Sequence, residues 1–209
     1  MRLLILTAHP DDEISCLGMI EKAKKENGEV LLICFTAQNE QRLKEFNKAC
    51  EFLGIRGINL ELEDGFLNLT SDLRRKLIRI IKEFKPDTVI CQSDVDYHPD
   101  HKKVNEIAKD IVEFARHNAL PEWTLKDFFK FETGNMLPDP DYIIEFDDSV
   151  MEKKKKLWEI HASQTSNRRD KEYYLRFLEH KAQLRGCQIG KKYGEAYKRI
   201  PLPIHGDFY

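Results

Sequence analysis

Apolar runs alternate with amphipathic stretches through the first half of the chain. Leu3-Leu4-Ile5-Leu6-Thr7, Val30-Leu31-Leu32-Ile33-Cys34-Phe35 and Asp87-Thr88-Val89-Ile90-Cys91 are mostly unbroken apolar segments, the pattern of strands buried on both faces of a parallel sheet. Ile58-Asn59-Leu60-Glu61-Leu62 alternates, as a strand nearer an edge does. Between these runs the period changes to that of helices. Residues 14–26 predict a helix closed by Asn27-Gly28 as a C-cap. Residues 40–53 place Leu43, Phe46, Cys50 and Leu53 on one stripe, ended by Gly54. Leu73, Leu77, Ile80, Ile81 and Phe84 mark a helix before Pro86, and Val104, Ile107, Ala108, Ile111, Val112 and Ala115 mark another. The βαβα order predicts an α/β fold: a Rossmann-like, mostly parallel sheet with helices on both faces.

Beyond about residue 120 the pattern loosens into an α+β extension. Residues 125–133 and 141–146 read as two strands joined by Pro138-Asp139-Pro140. Helices over 149–162 and 170–185 and a glycine-punctuated tail follow. Without a linker, repeat or low-complexity stretch, residues 1–209 are expected to form a single domain, with 120–209 as its looser C-terminal extension. The run Lys153-Lys154-Lys155-Lys156 reads as a solvated helix face beside Val150, Leu157 and Trp158.

Charge narrows the range of partners. The 34 basic and 36 acidic residues leave a formal charge of −2, so nothing draws the chain to nucleic acid or an anionic membrane. Apolar runs of about six residues fall far short of the ~20 needed to span a bilayer, and membrane insertion is not expected. The N-terminus runs straight into a strand and does not read as a signal peptide. Five widely spaced cysteines (Cys16, Cys34, Cys50, Cys91 and Cys187) include no C-x-x-C pair and read as buried thiols in a reducing, cytoplasmic compartment.

Two clusters carry chemistry. Ala8-His9-Pro10-Asp11-Asp12-Glu13 follows the first strand, and His98-Pro99-Asp100-His101 follows the strand at 87–92. The carboxyl ends of strands in open α/β sheets are where ligands bind. Either cluster alone is also what a capped helix start looks like, with Pro99 at its first position. Together, at equivalent edges of one sheet, they can converge on one ion. His9 and Asp12 span a strand-to-helix turn and His101 supplies a third donor. Two imidazoles and a carboxylate leave a position open, the pattern of a catalytic Zn²⁺ site, with Fe²⁺ or another divalent transition metal also suited to the donors. Asp11 is then free to take a proton from water. His98, expected across the site, is placed to stabilise an oxyanion or protonate a leaving nitrogen. Asp96 and Asp100 are candidates to hydrogen-bond the imidazoles and fix their tautomers. His117 and His180 read as ordinary helix residues, and His205 lies in the tail.

These motifs resemble those of the LmbE/PIG-L-type family of zinc-dependent N-deacetylases. Arg42, Glu45 and Ala49, ending at Leu53-Gly54, resemble the family's R-x-x-E-x-x-x-A helix. Asp64-Gly65, His161-Ala162-Ser163-Gln164 and Gly194-Glu195-Ala196-Tyr197 resemble its later signatures. The resemblance implies removal of acetyl from an N-acetylglucosamine-type amino sugar. It implies His9, Asp12 and His101 as zinc ligands, Asp11 as base, His98 as acid or oxyanion donor, and Arg42 as a substrate contact. The chain departs from the family at Ser15-Cys16-Leu17-Gly18, which holds fewer glycines, and at 133–141, which matches nothing recognisable. The expected partner is a small-molecule amino-sugar substrate, and a homo-oligomer is compatible with the chain.

Two other readings compete. One is an amidase acting on another amide or a nucleotide-sugar; the other is a metal-free sugar- or nucleotide-binding Rossmann-like module. The first strand-to-helix turn lacks G-x-G-x-x-G, which weighs against a pyrophosphate cradle. Metal content separates the module from the enzymes, and acetate release from a substrate panel separates the two enzymes.

Overall fold

The structure is a computed structural model that describes residues 1–37, 39–117, 123–166 and 172–202. The first parallel strands are β1 (Arg2–Thr7), β2 (Glu29–Thr36), β3 (Arg56–Leu62) and β4 (Thr88–Gln92). Helices α1 (Leu17–Lys25), α2 (Glu40–Leu53), α3 (Ser71–Phe84) and α4 (Pro99–His117) connect or follow them. The remainder comprises β5 (Asp127–Phe131), β6 (Tyr142–Phe146), α5 (Asp148–Ile160), α6 (Ala162–Ser166), α7 (Tyr173–Gln188) and β7 (Tyr193–Arg199). Seven strands lie in the order β3-β2-β1-β4-β5-β7-β6; β7 runs antiparallel to both its neighbours, β5 and β6, and so opposite to the rest of the sheet. The α/β architecture expected from the apolar runs is the one found.

Local signals account for the element ends. The Asn39 side chain accepts from the amide of Arg42 to start α2, and Gly54 closes that helix at φ 63°. Thr70 caps α3 through the amide of Leu73. Residues 12–16 form a 3₁₀ turn before α1, so the first helix begins later than its periodicity predicts. At its end the left-handed residue is Asn27, and glycine is needed at 28 because a Cβ there would lie 2.0 Å from the carbonyl oxygen of Met1. Odd and even positions of β1 feed the two cores: Leu3 and Ile5 pack with Ile20, Phe46 and Trp158, while Leu4 and Leu6 pack with Leu77, Val104 and Ile111.

The second half departs from its sequence reading in three places. The expected tail contains β7, which lies between β5 and β6, so those two strands are not neighbours. The helix read over 149–162 breaks at His161, and α7 spans Tyr173–Gln188. The lysine run is only partly a solvated face. Lys154 is buried, with its Nζ 2.6 Å from Glu195 Oε1, while Lys153 pairs with the buried Glu21 and Lys155 and Lys156 with the surface carboxylates of Glu152 and Glu159. Cys187 is exposed, whereas the other four cysteines are buried as expected, and all five are free thiols. Among the described residues no helix is long and apolar enough to cross a membrane. His205 lies outside the described residues.

Candidate active site

The chain reverses direction across the sheet between β1 and β4: β2 and β3 add on one side of β1, β4 and β5 on the other. A crevice opens at the carboxyl ends of strands flanking such a switch point. Gln92, the last residue of β4, accepts from the amide of Ala8 at 2.7 Å and ties the two strand ends together. His9 to Glu13 emerge from one strand end and His98 to His101 from the other, at the base of a cleft of about 330 Å³.

His9, Asp12 and His101 converge there. His9 Nδ1 lies 3.3 Å from His101 Nε2, and Asp12 presents one oxygen to each ring, 3.5 Å from His9 and 3.4 Å from His101. The second nitrogen of each ring turns to a carboxylate. His9 Nε2 lies 2.9 Å from Asp64 and 3.2 Å from Asp100, and His101 Nδ1 lies 3.3 Å from Asp96 and 2.9 Å from Thr133 Oγ1. Asp96 and Asp100 therefore sit against the imidazoles. Among the described residues, the sets that bring one donor atom each within 4.8 Å of one another are His9/His98/His101 and His9/Asp64/Asp100, so the two imidazoles recur with His98 in the first and His9 with two carboxylates in the second.

His98 packs against both rings. Its ring stacks on His101 at 4.8 Å between centroids and meets the edge of His9 at 4.6 Å. Its Nδ1 accepts from the amide of Asp100 at 3.2 Å, so in the neutral ring the proton is on Nε2. Asp11 takes φ 104°, a left-handed backbone unusual for a residue with a Cβ. Its amide donates to Glu13 Oε2 at 3.0 Å. Arg42 is buried under this turn. Its Nη2 donates to the Pro10 carbonyl at 2.8 Å and lies 3.6 Å from Asp11, while Nη1 lies 3.8 Å from Asp64. Its guanidinium lines the cleft but is already shared among these groups.

The electrostatics follow from crowding carboxylates and imidazoles out of water. Burial alone lowers a histidine, but Asp12 and Asp64 outweigh it and hold His9 up at about 10. His101 is likewise held at about 9 by Asp12 and Asp96 against its burial. Asp12, opposite both rings, lies well below the usual carboxylate range despite burial. Asp11 goes the other way: burial first, then the charge of Asp12, raise it to about 7. His98 is lowered by burial and by its neighbours His9 and His101. Two imidazole nitrogens 3.3 Å apart, with the two oxygens of Asp12 facing one each and each ring held through its other nitrogen, are donors of the type that suits a divalent transition metal.

Residues 4–112 match the family model described as PIG-L, GlcNAc-PI de-N-acetylase. The chain belongs to this family. Among solved structures, the N,N'-diacetylchitobiose deacetylase of Pyrococcus horikoshii is similar over 96% of this chain and 84% of its own, at 26% identity and TM-score 0.80. A conserved protein of Thermus thermophilus, TT1542, is similar over 99% and 98%, at 23% identity and TM-score 0.81. GalB, the 4-carboxy-2-hydroxymuconate hydratase of Pseudomonas putida KT2440, shares the fold over 100% and 99%, at 18% identity and TM-score 0.79.

Site residues outside the two motifs come from segments far away in sequence. Asp64 could have been singled out, since its Asp-Gly pair is part of the family resemblance. Thr133 could not, because its stretch matched no pattern; it donates to Asp96 and touches His101. His161 Nε2 meets Glu13 Oε1 at 2.6 Å, both fully buried, and Glu45 accepts from the Ser163 amide and hydroxyl. Tyr97, Gln164, Tyr173 and Phe177 complete the outer cleft.

Proposed function

We propose that the protein is a metal-dependent N-deacetylase that hydrolyses the acetamide of an N-acetylated amino sugar. The observation that carries this reading is the meeting of His9 Nδ1, His101 Nε2 and Asp12 within 3.5 Å beneath a cleft in a PIG-L family chain. In this reading His9, Asp12 and His101 hold one divalent ion, zinc by the preference of two imidazoles and a carboxylate. A bound ion of this kind supplies Lewis acidity, making water a better nucleophile and the acetamide carbonyl a better electrophile at neutral pH.

The chain's own groups move the protons. Asp11, raised to about 7 by burial and by Asp12, suits a base that accepts a proton from the attacking water. His98 favours its neutral form, and its Nε2–H then donates to the oxygen that becomes negative. The proton taken by Asp11 passes to the leaving nitrogen as the C–N bond breaks, so water and amide become acetic acid and amine. Asp96 and Asp100 hold the ring tautomers, and Arg42 acts by fixing Pro10 and Asp11. A substrate contact for Arg42 needs one of these bonds to open. Residues 1–209 work as one unit, because the cleft draws on both halves of the chain.

Acetate release from a panel of N-acetylated amino sugars, other N-acyl amines and nucleotide-sugars, with metal analysis of the same preparation, tests the reading. About one divalent ion per chain and turnover confined to amino sugars are expected. His101→Ala is expected to lose the ion. Turnover of the panel by metal-free protein, or full metal occupancy in His101→Ala, would sink it.

A further inference from the structure

The outer wall of the cleft holds an aromatic ring that nothing in the chemistry above uses. Tyr97, immediately before His98, lines the cleft yet is 69% exposed. Its ring centroid lies 6.3 Å from that of His98, so it stands next to the reacting groups. Exposing a large aromatic side chain at the mouth of a polar cleft forgoes the burial that aromatics normally gain.

The ring is also seated. Gly134 lies directly against it: a Cβ at that position would fall 2.4 Å from Tyr97 Cε1 and 3.0 Å from Cδ1. The two segments that carry Tyr97 and Gly134 are stitched together by Asp96, whose buried carboxylate accepts from the Gly134 amide at 2.8 Å, the Asn135 amide at 3.2 Å and the His98 amide at 3.0 Å. The Asn135 side chain adds a bond to the Val95 carbonyl at 3.1 Å. One side of the ring therefore rests on a backbone held in place by four hydrogen bonds, and the rest of it is open. A pre-seated, half-open aromatic beside a reactive centre is a binding surface whose ordering cost has been met in advance.

We propose that Tyr97, seated on Gly134, is the platform on which the C–H face of the substrate's pyranose ring stacks, so that the acetamido group points at His9, Asp12 and His101. This rests on the amino-sugar reading above and adds to it the subsite that recognises the ring. The stacking face of a pyranose is a patch of C–H groups, which matches the negative face of an aromatic ring, whereas the acetamide itself is recognised by the polar floor.

The test separates ring recognition from chemistry. In Tyr97→Ala the KM for the best amino-sugar substrate rises about tenfold, as loss of one aromatic contact allows, with kcat within about twofold of wild type. Tyr97→Phe keeps the ring and stays near wild type. Gly134→Ala, whose backbone is not left-handed, pushes the ring aside and raises KM in the same direction. Inhibition by acetohydroxamate, which has no ring and addresses only the metal-binding floor, is unchanged in all three variants. Calorimetric titration with the deacetylated amino sugar reports the same loss of affinity without turnover.

An unchanged KM and sugar affinity in Tyr97→Ala overturn the proposal. So does a fall in kcat together with weaker acetohydroxamate inhibition, which assigns Tyr97 to the integrity of the site. Wild-type protein that binds amino sugars through Tyr97 but releases no acetate overturns the deacetylase reading and leaves the platform standing. Wild-type protein that binds none overturns both.

Discussion

Asp11 and Asp12 are adjacent carboxylates driven apart by their surroundings. Asp12 faces two imidazoles and stays ionised; Asp11, partly withdrawn from water and repelled by Asp12, is raised to about 7. Environments that separate two like groups mark one as charge partner and the other as proton acceptor. Replacing Asp11 by Asn preserves shape and burial while removing the basic oxygen. Asp11→Asn is therefore expected to retain its metal and lose ~10²–10⁴ in kcat, the usual weight of a general base. Near-wild-type turnover in this variant, measured at saturating substrate, would force the two aspartates to exchange roles. The left-handed backbone at 11 belongs to the same arrangement: the Glu13 carboxylate holds the Asp11 amide, and His161 holds Glu13.

At the scale of elements, the first half of the fold was legible because its signals are local. An apolar strand, a capped helix and a His/Asp cluster at the strand's end each occupy a few consecutive residues, as in β1 with His9 to Glu13. The second half was legible only in outline. In β7 the charged Glu195 is buried by Lys154, the Gly18 amide and the Tyr197 hydroxyl, so no hydrophobic pattern announces a strand. Thr133 is site-forming only because β5 delivers it to Asp96 and His101, and no spacing rule connects residues 133, 96 and 101. Its loop is anchored to α7, where Arg185 pairs with Glu132 and Lys181 Nζ donates to the Thr133 carbonyl at 2.7 Å. Because Thr133 helps to fix the nitrogen that His101 presents, Thr133→Val is expected to weaken divalent metal binding about 10–100-fold, with Thr133→Ser restoring most of it. Competition with a chelator measures this directly. Equal affinity in Thr133→Val would reduce the loop to packing.

For the molecule as a whole, the crowding that suits a metal ion makes the metal-free protein sensitive to pH. Among protein groups alone, His9 sits at about 10 and His101 at about 9, both above their ordinary 6.5, and His161 is raised in the same direction. Above pH 6.5 the unfolded chain gives up these protons while the folded one keeps them, so their stabilisation is complete below 6.5 and drains away as pH rises toward 9 and 10. Asp11 adds a decline of the same sign only up to about 7, and Lys181, lowered by burial to about 8, acts in the opposite sense above that value. The interval from 7 to 8 thus isolates the imidazoles. Chelator-treated protein is expected to lose thermal stability across it, whereas metal-loaded protein is expected to stay level, because an ion held by His9, Asp12 and His101 would supply the positive charge that the imidazolium protons otherwise provide. The corollary is that metal binding near pH 7.5 releases about two protons, which calorimetry in buffers of different ionisation enthalpy counts. A flat melting profile for the metal-free protein together with no proton release would mean that His9 and His101 are already neutral, and that the carboxylates around them do not shape the site in the way their distances imply.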